Sequence, residues 1–222
     1  MRRYLPAVLM LAWAATAVAQ TQGELDDRVR KLMAKFDALQ ENAESRIPAD
    51  ALKKATGVIV MDRTKGGFVF GYEQGFGVAL VKDKGGWGAF SFMSSHEGSF
   101  GAQIGGKSTF CVILLMSEAA RDRLISPKVD FGGEAGGTGG SDSGGVGSDF
   151  TQAPPVLVFG ESKGLYGGAT IKGGSVAAAD KANQKYYGQF YSIKDILFEK
   201  KVKPSETAAE FARKLEAASK GK

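Results

Sequence analysis

Two short glycine motifs in the chain match patterns that carry chemistry in other proteins. Residues 101–108, Gly-Ala-Gln-Ile-Gly-Gly-Lys-Ser, match the phosphate-binding loop, and residues 160–164, Gly-Glu-Ser-Lys-Gly, match the nucleophile elbow. Each mechanism needs a helix directly after the motif, in the first case because the helix amides cradle the phosphates. Here β-branched and aromatic residues favour a strand after each motif. We therefore predict that neither motif performs its usual chemistry, and that residues 160–164 form a hairpin turn.

The remaining reactive side chains are too few for a catalytic or zinc site. His96 is the only histidine, and it precedes Ser162, whereas the elbow mechanism needs a histidine later in the chain. It stands beside Glu97 and Gly98, and we interpret it as an exposed loop residue. Cys111, the only cysteine, lies in an apolar run and is typical of a small buried hydrophobe. One histidine and one cysteine do not make a zinc site. The sequence thus predicts a non-catalytic protein with no metal and no cofactor.

The N-terminus has the three parts of a secretory signal peptide. Arg2 and Arg3 precede an apolar stretch over residues 5–18, and Ala17-Val18-Ala19 supplies the small-residue cleavage pattern. That stretch is shorter than the roughly 20 residues that span a bilayer. We expect residues 1–19 to be removed, so that a mature chain beginning at Gln20 is exported to the periplasm or envelope. A retained membrane anchor is the alternative.

Composition narrows the classes of partner. The formal charge of +5 falls to +3 once the two arginines of the signal are removed. This weak positive charge permits attraction to anionic lipid but is far below what nucleic-acid binding requires. The mature length of 222 − 19 = 203 residues suffices for a single domain, residues 20–222. The sequence gives no indication of the oligomeric state.

Glycine divides the chain into a central β region and two helical flanks. Of the 31 glycines, 28 fall between Gly57 and Gly174, and glycine weakens helices while permitting tight turns. We predict an α+β fold in which a glycine-rich antiparallel β-sheet or small barrel is packed by N- and C-terminal amphipathic helices. The glycine- and serine-rich segment 132–148 is predicted to be a flexible loop. Strands are expected at residues 57–62, 68–72, 76–81, 87–93, 99–104, 109–116, 156–159 and 165–171, with turns at 65–67 and 84–86.

The first flank supplies the candidate binding residues. Apolar residues at three- and four-residue steps predict an amphipathic helix over residues 25–43. Its basic residues are candidates for contact with lipid headgroups, and two residues of its apolar stripe could enter the interface. These six are Arg28, Arg30, Lys31, Lys35, Leu32 and Phe36. The alternative is a helix docked on the core with a merely solvated basic face. Further helices are predicted after Pro48 and over residues 117–124, 182–187, 193–198 and 207–219, the last with a Thr207–Glu210 capping box.

Several ordered motifs together resemble the SYLF lipid-binding domain family. They are Ala55-Thr56-Gly57-Val58-Ile59-Val60, Gly67-Phe68, Gly75-Phe76-Gly77-Val78, Gly86-Trp87, residues 99–105, residues 162–168, and Asn183 with Tyr186-Tyr187-Gly188. The resemblance covers about residues 25–198. It implies a non-enzymatic protein that binds membranes, because eukaryotic members bind phosphoinositides and associate with actin-rich structures.

The resemblance and the export signal together predict a peripheral lipid-binding protein of the cell envelope. A periplasmic protein would not meet phosphoinositides, so the expected ligand is an anionic phospholipid headgroup. The alternative is an envelope scaffold that binds a partner protein through its β surface.

Overall fold

The computed structural model describes residues 21–67, 70–100, 107–130, 156–160, 165–166 and 175–221. Within these ranges the predicted α+β fold is confirmed, with an antiparallel sheet between N-terminal and C-terminal helices. The predicted signal peptide (1–19) and the predicted loop (132–148) lie outside the described residues, as do residues 101–106 and 161–164 of the two glycine motifs.

Strands form the middle of the chain and helices form both ends. The helices are α1 (Gln22–Glu41), α2 (Ala49–Lys54), α3 (Glu118–Asp122), α4 (Asp180–Tyr187), α5 (Ile193–Leu197) and α6 (Glu206–Ser219), with a short 3₁₀ helix at Arg123–Ile125. The strands are β1 (Gly57–Gly67), β2 (Phe70–Asp83), β3 (Gly86–Phe100), β4 (Lys107–Leu115), β5 (Val129–Asp130), β6 (Val156–Gly160), β7 (Leu165–Tyr166) and β8 (Ser175–Ala178).

The described strands form one open sheet in the order β5-β8-β3-β2-β1-β4-β6-β7. Every pairing in it is antiparallel, and β1 lies at the centre between β2 and β4. At Gly77 an added Cβ would lie 2.4 Å from the carbonyl oxygen of Val60. This close approach of β1 and β2 is one physical reason for the glycine content of the central region.

Both faces of the central strands are buried, so alternate residues enter two separate cores. Val60, Leu80 and Phe92 lie on the face covered by α1 and α6. Ile59 and Met61 lie on the opposite face, which α5 helps to cover. Burial on both faces explains why the strand sequences are continuously apolar rather than alternating.

Strand β8 pairs with β3 only at residues 93–95, and helix α4 covers the adjoining part of the same edge of β3. The Asn183 side chain, which is fully buried, accepts a hydrogen bond from the Phe92 amide at 2.7 Å and donates to Ser91 Oγ at 3.0 Å. The Tyr187 hydroxyl donates to the Phe90 carbonyl. The two side chains thus form hydrogen bonds with backbone groups of β3 that a neighbouring strand would otherwise pair.

The structure corrects several predicted boundaries. The described residues of the predicted strands 68–72 and 76–81 belong to one strand, Phe70–Asp83. Residues 99–100 likewise continue the strand that contains 87–93, whereas 101–104 of the predicted strand 99–104 lie outside the described residues. The predicted turn at 65–67 is wrong, since β1 continues to Gly67. The strands continue through glycine because each paired glycine keeps its ladder partner, as Gly75 does opposite Arg63 and Ser95. His96 is also not a loop residue, because it pairs with Gln74 inside the sheet.

Both glycine motifs are followed by strands, as predicted. Lys107 and Ser108, the last residues of the phosphate-loop pattern, begin β4. Gly160 ends β6, and Leu165 begins β7, which pairs antiparallel with β6. Since neither motif opens a helix, the helix amides that both mechanisms require are missing at these positions.

Candidate functional site

Helix α1 begins at a capping box that fixes its first turn. The Thr21 hydroxyl accepts a hydrogen bond from the Glu24 amide at 3.2 Å, and the Glu24 carboxylate accepts one from the Thr21 amide at 2.7 Å. Such a cap stabilises a helix by about 1 kcal/mol. The apolar stripe faces the sheet and is buried. It consists of Leu25, Val29, Leu32, Met33, Phe36 and Leu39.

Polar and aromatic contacts tie α1 to the C-terminal helices. The Phe36 ring packs edge-on against Phe211 of α6, with ring centroids 6.0 Å apart. Asp37 accepts from Lys214 of α6 at 2.6 Å. The Tyr186 hydroxyl of α4 lies 2.7 Å from Asp26 of α1 and 2.7 Å from Ser205, the N-cap of α6. The helix is therefore held at a fixed position and orientation on the sheet.

A basic cleft of about 320 Å³ lies between α1 and the strands β1 and β2. We call it the α1 cleft, and it is the candidate functional site. It is lined by Arg28, Lys31, Leu32, Asp62, Thr64, Gln74 and Phe76.

Arg28 is positioned by an aromatic ring. Its guanidinium carbon lies 4.0 Å from the centroid of Phe76, in a cation–π arrangement. Stacking uses the face of the guanidinium and leaves the in-plane N–H donors directed outward. Lys31 follows Arg28 by three residues and is exposed. Because residues three apart share a helix face, the two cations can act on one ligand.

Asp62 balances part of the positive charge in the α1 cleft. It accepts a hydrogen bond from Lys35 at 2.6 Å and another from Ser108 at 2.7 Å. Asp62 and Lys35 thus form a half-buried ion pair, while Arg28 and Lys31 make no ion pair with the described residues. Among its described residues the cleft therefore presents two cations without an ion pair, beside the neutral polar groups of Thr64 and Gln74.

The structure brings together only part of the predicted binding set. Arg28 and Lys31 line the α1 cleft. Lys35 and Arg30 lie outside its lining, where Lys35 pairs with the lining residue Asp62 at 2.6 Å and Arg30 pairs with Asp27 at 3.0 Å. Leu32 and Phe36 are 2 % and 1 % exposed, so both are core residues while α1 is docked. Sequence reasoning missed Asp62, Gln74 and Phe76. Asp62 could have been noticed as the charge that ends an apolar strand, but its place beside α1 depends on the fold.

The described residues contain no group of three or more histidine, cysteine, aspartate or glutamate side chains arranged to hold a metal ion. Cys111 is buried in β4, as predicted. None of the helices in the described ranges is both long and apolar enough to cross a membrane. Because Arg28 and Lys31 both line the α1 cleft, its arrangement is one that can bind an anion.

The fold is an antiparallel sheet packed by N- and C-terminal helices, and comparison with known proteins places the chain in a family. Residues 96–218 match the Ysc84 family, described as Las17-binding protein actin regulator. The chain belongs to this family, which confirms the predicted membership in the SYLF class. The matched residues include α4 and α6 but not α1.

Relatives are found in fungi and vertebrates. The chain is 29% identical over 178 residues to LAS seventeen-binding protein 3 of Saccharomyces cerevisiae, covering 77% of this chain and 39% of the relative. It is 30% identical over 161 residues to the protein YSC84 of the same yeast, covering 70% and 34%. It is 27% identical over 188 residues to SH3 domain-containing YSC84-like protein 1 of Xenopus laevis, covering 81% and 56%.

The chain spans about two fifths of the length of the first of these relatives. No solved structure matches the chain.

Proposed function

We propose that this protein is a non-enzymatic, peripheral membrane-binding protein that recognises anionic phospholipid headgroups in the α1 cleft. The observation that carries the proposal is the pair Arg28 and Lys31, two uncompensated cations on one face of a helix that the core holds in place. We further propose that residues 1–19 direct export and that the mature protein acts in the periplasm or envelope.

The chemistry of a phospholipid phosphate suits this pair. A stacked guanidinium offers two parallel N–H donors to phosphate oxygens, and a lysine adds a point charge. Each basic residue near an anionic membrane surface contributes on the order of 1 kcal/mol. Two or three such residues would give reversible attachment, which is the behaviour expected of a peripheral protein.

The salt and lipid dependence of vesicle binding tests this class of function. The protein should co-sediment with phosphatidylglycerol vesicles at low ionic strength and dissociate at high ionic strength, because screening weakens exposed charge pairs. It should not sediment with phosphatidylcholine vesicles. Equal binding to both vesicle types, or binding that resists salt, would reject headgroup recognition by charge.

The docked position of α1 gives a second test. Leu32 and Phe36 can reach lipid only if α1 leaves the core, whereas Arg28 and Lys31 are accessible with the helix in place. A bifunctional thiol cross-linker between Asp37→Cys and Lys214→Cys, in a Cys111→Ser background, would hold α1 against α6. We expect the cross-linked protein to bind vesicles as well as the same double-cysteine variant does before cross-linking. Loss of binding would instead assign the membrane contact to an undocked α1 with Leu32 and Phe36 inserted.

Binding of a partner protein is the second candidate function. It is favoured by the name of the yeast relative, LAS seventeen-binding protein 3, and by the family description. A protein that acts only through a partner should not co-sediment with phosphatidylglycerol vesicles at any ionic strength, whereas headgroup attraction gives binding that falls as ionic strength rises. The vesicle experiment above therefore separates the two candidates.

The proposed export is tested by a separate experiment on where the protein is found and where its chain begins. When the full chain is produced in a Gram-negative bacterium, intact-mass analysis of the periplasmic fraction should give a chain that begins at Gln20. A protein that stays in the cytoplasm with Met1 to Ala19 intact would reject the export proposal and leave the membrane-binding proposal standing.

A further inference from the structure

A second cleft lies away from the α1 cleft, near the other end of strand β2. Its volume is about 1170 Å³, and it is formed by α2, the β2–β3 turn and the C-terminal half of α6. We call it the distal cleft. Gln74 lines the α1 cleft and Lys82 lines the distal cleft. Eight residues of one strand separate them, which corresponds to roughly 26 Å.

The distal cleft carries an excess of positive charge. Lys53, Lys84 and Arg213 line it, and none of them forms an ion pair with a described residue. Lys82 also lines it, with its ammonium group 5.5 Å from the centroid of the Trp87 ring and donating to the Lys53 carbonyl at 3.0 Å. With Lys220, five basic side chains thus line the cleft, from α2, the β2–β3 hairpin and the C-terminal half of α6 with its C-cap.

The acidic residues of the distal cleft are mostly neutralised within the protein. Asp83 pairs with Lys200, and Glu216 pairs with Lys220 at 3.0 Å. Hydrogen bonding to these lysines holds the pKa of both carboxyl groups below its usual value. Asp50 is left as the acidic lining residue without an ion pair in the described part of the chain.

Trp87 gives the lining of the distal cleft a polar group without a partner. Its side chain lines the cleft and is 9 % exposed, and its buried indole Nε1 has no hydrogen-bond acceptor in the described structure. Buried polar groups are almost always hydrogen-bonded, and leaving one without a partner is costly. A carboxylate or carbonyl oxygen of a ligand would supply the acceptor if the Trp87 side chain turns towards the cleft on binding.

We propose that the distal cleft binds an extended acidic segment of a partner protein. Its charge excess selects a negatively charged ligand. Its concave shape, with Trp87 nearly buried in the lining, favours a chain that can enter the cleft over a flat bilayer. Ala212 and Ala217 also line the cleft and give apolar surface that short aliphatic side chains can cover. This inference does not depend on membrane binding at the α1 cleft.

The proposal is tested with a fluorescein-labelled synthetic peptide in which glutamate and leucine alternate. Fluorescence anisotropy should show binding by the full chain, and the same peptide with glutamine in place of glutamate should not bind. The double variant Lys53→Gln/Lys84→Gln should weaken binding roughly tenfold, since each exposed charge pair makes a modest contribution. The matched control Arg28→Gln/Lys31→Gln removes the same charge from the α1 cleft and should leave peptide affinity unchanged.

Trp87 gives a readout that belongs to the distal cleft. In a Trp13→Phe background Trp87 is the remaining tryptophan of the chain, and its fluorescence should change when unlabelled acidic peptide is added. Trp87→Phe keeps an aromatic ring but removes the N–H donor, and should weaken peptide binding several-fold in a protein that still unfolds cooperatively.

Two results would overturn the proposal. They are equal binding of the acidic and the glutamine peptide, and unchanged peptide affinity in Lys53→Gln/Lys84→Gln. If that double variant keeps its peptide affinity but loses vesicle binding, the distal cleft is assigned to the membrane. Normal vesicle binding by Arg28→Gln/Lys31→Gln would reject the proposal for the α1 cleft alone, so the two proposals fail separately.

Discussion

At the scale of single residues, buried polar side chains of α4 join elements that are distant in sequence. Asn183 bonds to the free edge of β3, and Tyr186 connects Asp26 of α1 with Ser205 at the start of α6. Gly188, with φ +77°, ends α4 in the left-handed conformation that glycine adopts at low cost. The sequence motif that contains these residues therefore has a structural role.

Asn183→Ala should destabilise the protein strongly. The substitution leaves the buried Phe92 amide without its acceptor and Ser91 Oγ without the N–H that it accepts from Asn183, which costs about 2–3 kcal/mol in the free energy of unfolding. Urea denaturation measures the change. The control is Gln184→Ala on the exposed face of the same helix, where the change should stay within about 0.5 kcal/mol. Equal effects of the two substitutions would show that Asn183 does not secure the β3 edge.

Tyr186→Phe should alter the alkaline limb of the stability curve. Burial raises the pKa of Tyr186 to about 12, above the usual value of 10.0. Since the folded state holds this proton more tightly, its contribution is fully present below pH 10 and is lost as the pH rises towards 12. The variant should lose about 1 kcal/mol at neutral pH, from the missing hydrogen bonds, and show a shallower decline above pH 10.

Thermal unfolding between pH 7 and 11.5 measures this difference. Tyr191→Phe is the control, because the Tyr191 hydroxyl contacts the exposed Gln189 side chain. An alkaline decline that is as steep in Tyr186→Phe as in the parent protein would contradict the assignment.

At the scale of elements, the composition of the chain predicts the types of structure better than their boundaries. Apolar periodicity locates α1, and serine before an alanine-rich segment locates α3 with Ser117 as its N-cap. The cap of α6 is Ser205 rather than the predicted Thr207, which is buried. The capping box at Thr21 and Glu24 was missed because the predicted helix began at Leu25.

Long strands and small edge strands are the features that local patterns do not predict. Glycines at 75 and 77 look like strand breaks, but ladder pairing on both sides keeps the strand continuous. The short strands β5 and β8 were not predicted, because two and four residues carry little periodic signal. Likewise, sequence reasoning found the basic residues of α1 but not Phe76 and Asp62, which only the fold places beside them.

Substitutions on the buried face of α1 should reduce stability, whereas substitutions on its exposed face should reduce vesicle binding. Phe36→Ala removes a ring that is 1 % exposed and packed on Phe211, and should cost about 3–4 kcal/mol. Lys31→Ala on the exposed face should change stability by less than about 0.5 kcal/mol but weaken binding to anionic vesicles. Chemical denaturation and co-sedimentation are measured on both variants. A Lys31→Ala variant that binds vesicles normally would remove this lysine from the binding mechanism.

At the scale of the whole molecule, the two basic clefts lie near opposite ends of β2 and are proposed to bind different ligands. Protein bound to anionic vesicles through the α1 cleft should still bind the glutamate–leucine peptide through the distal cleft. Anisotropy of labelled peptide with vesicle-bound protein tests this. Displacement of the peptide by vesicles would show that the two ligands share a site.

The most direct test of the central claim compares Arg28→Gln/Lys31→Gln with Lys53→Gln/Lys84→Gln in co-sedimentation with phosphatidylglycerol vesicles. Both variants lose two positive charges, so an effect of net charge alone would be the same in each. If the α1 cleft binds headgroups, the first variant should lose binding by roughly tenfold or more, while the second binds like the parent protein. Equal binding by both variants, or a larger loss in the second, would contradict the account.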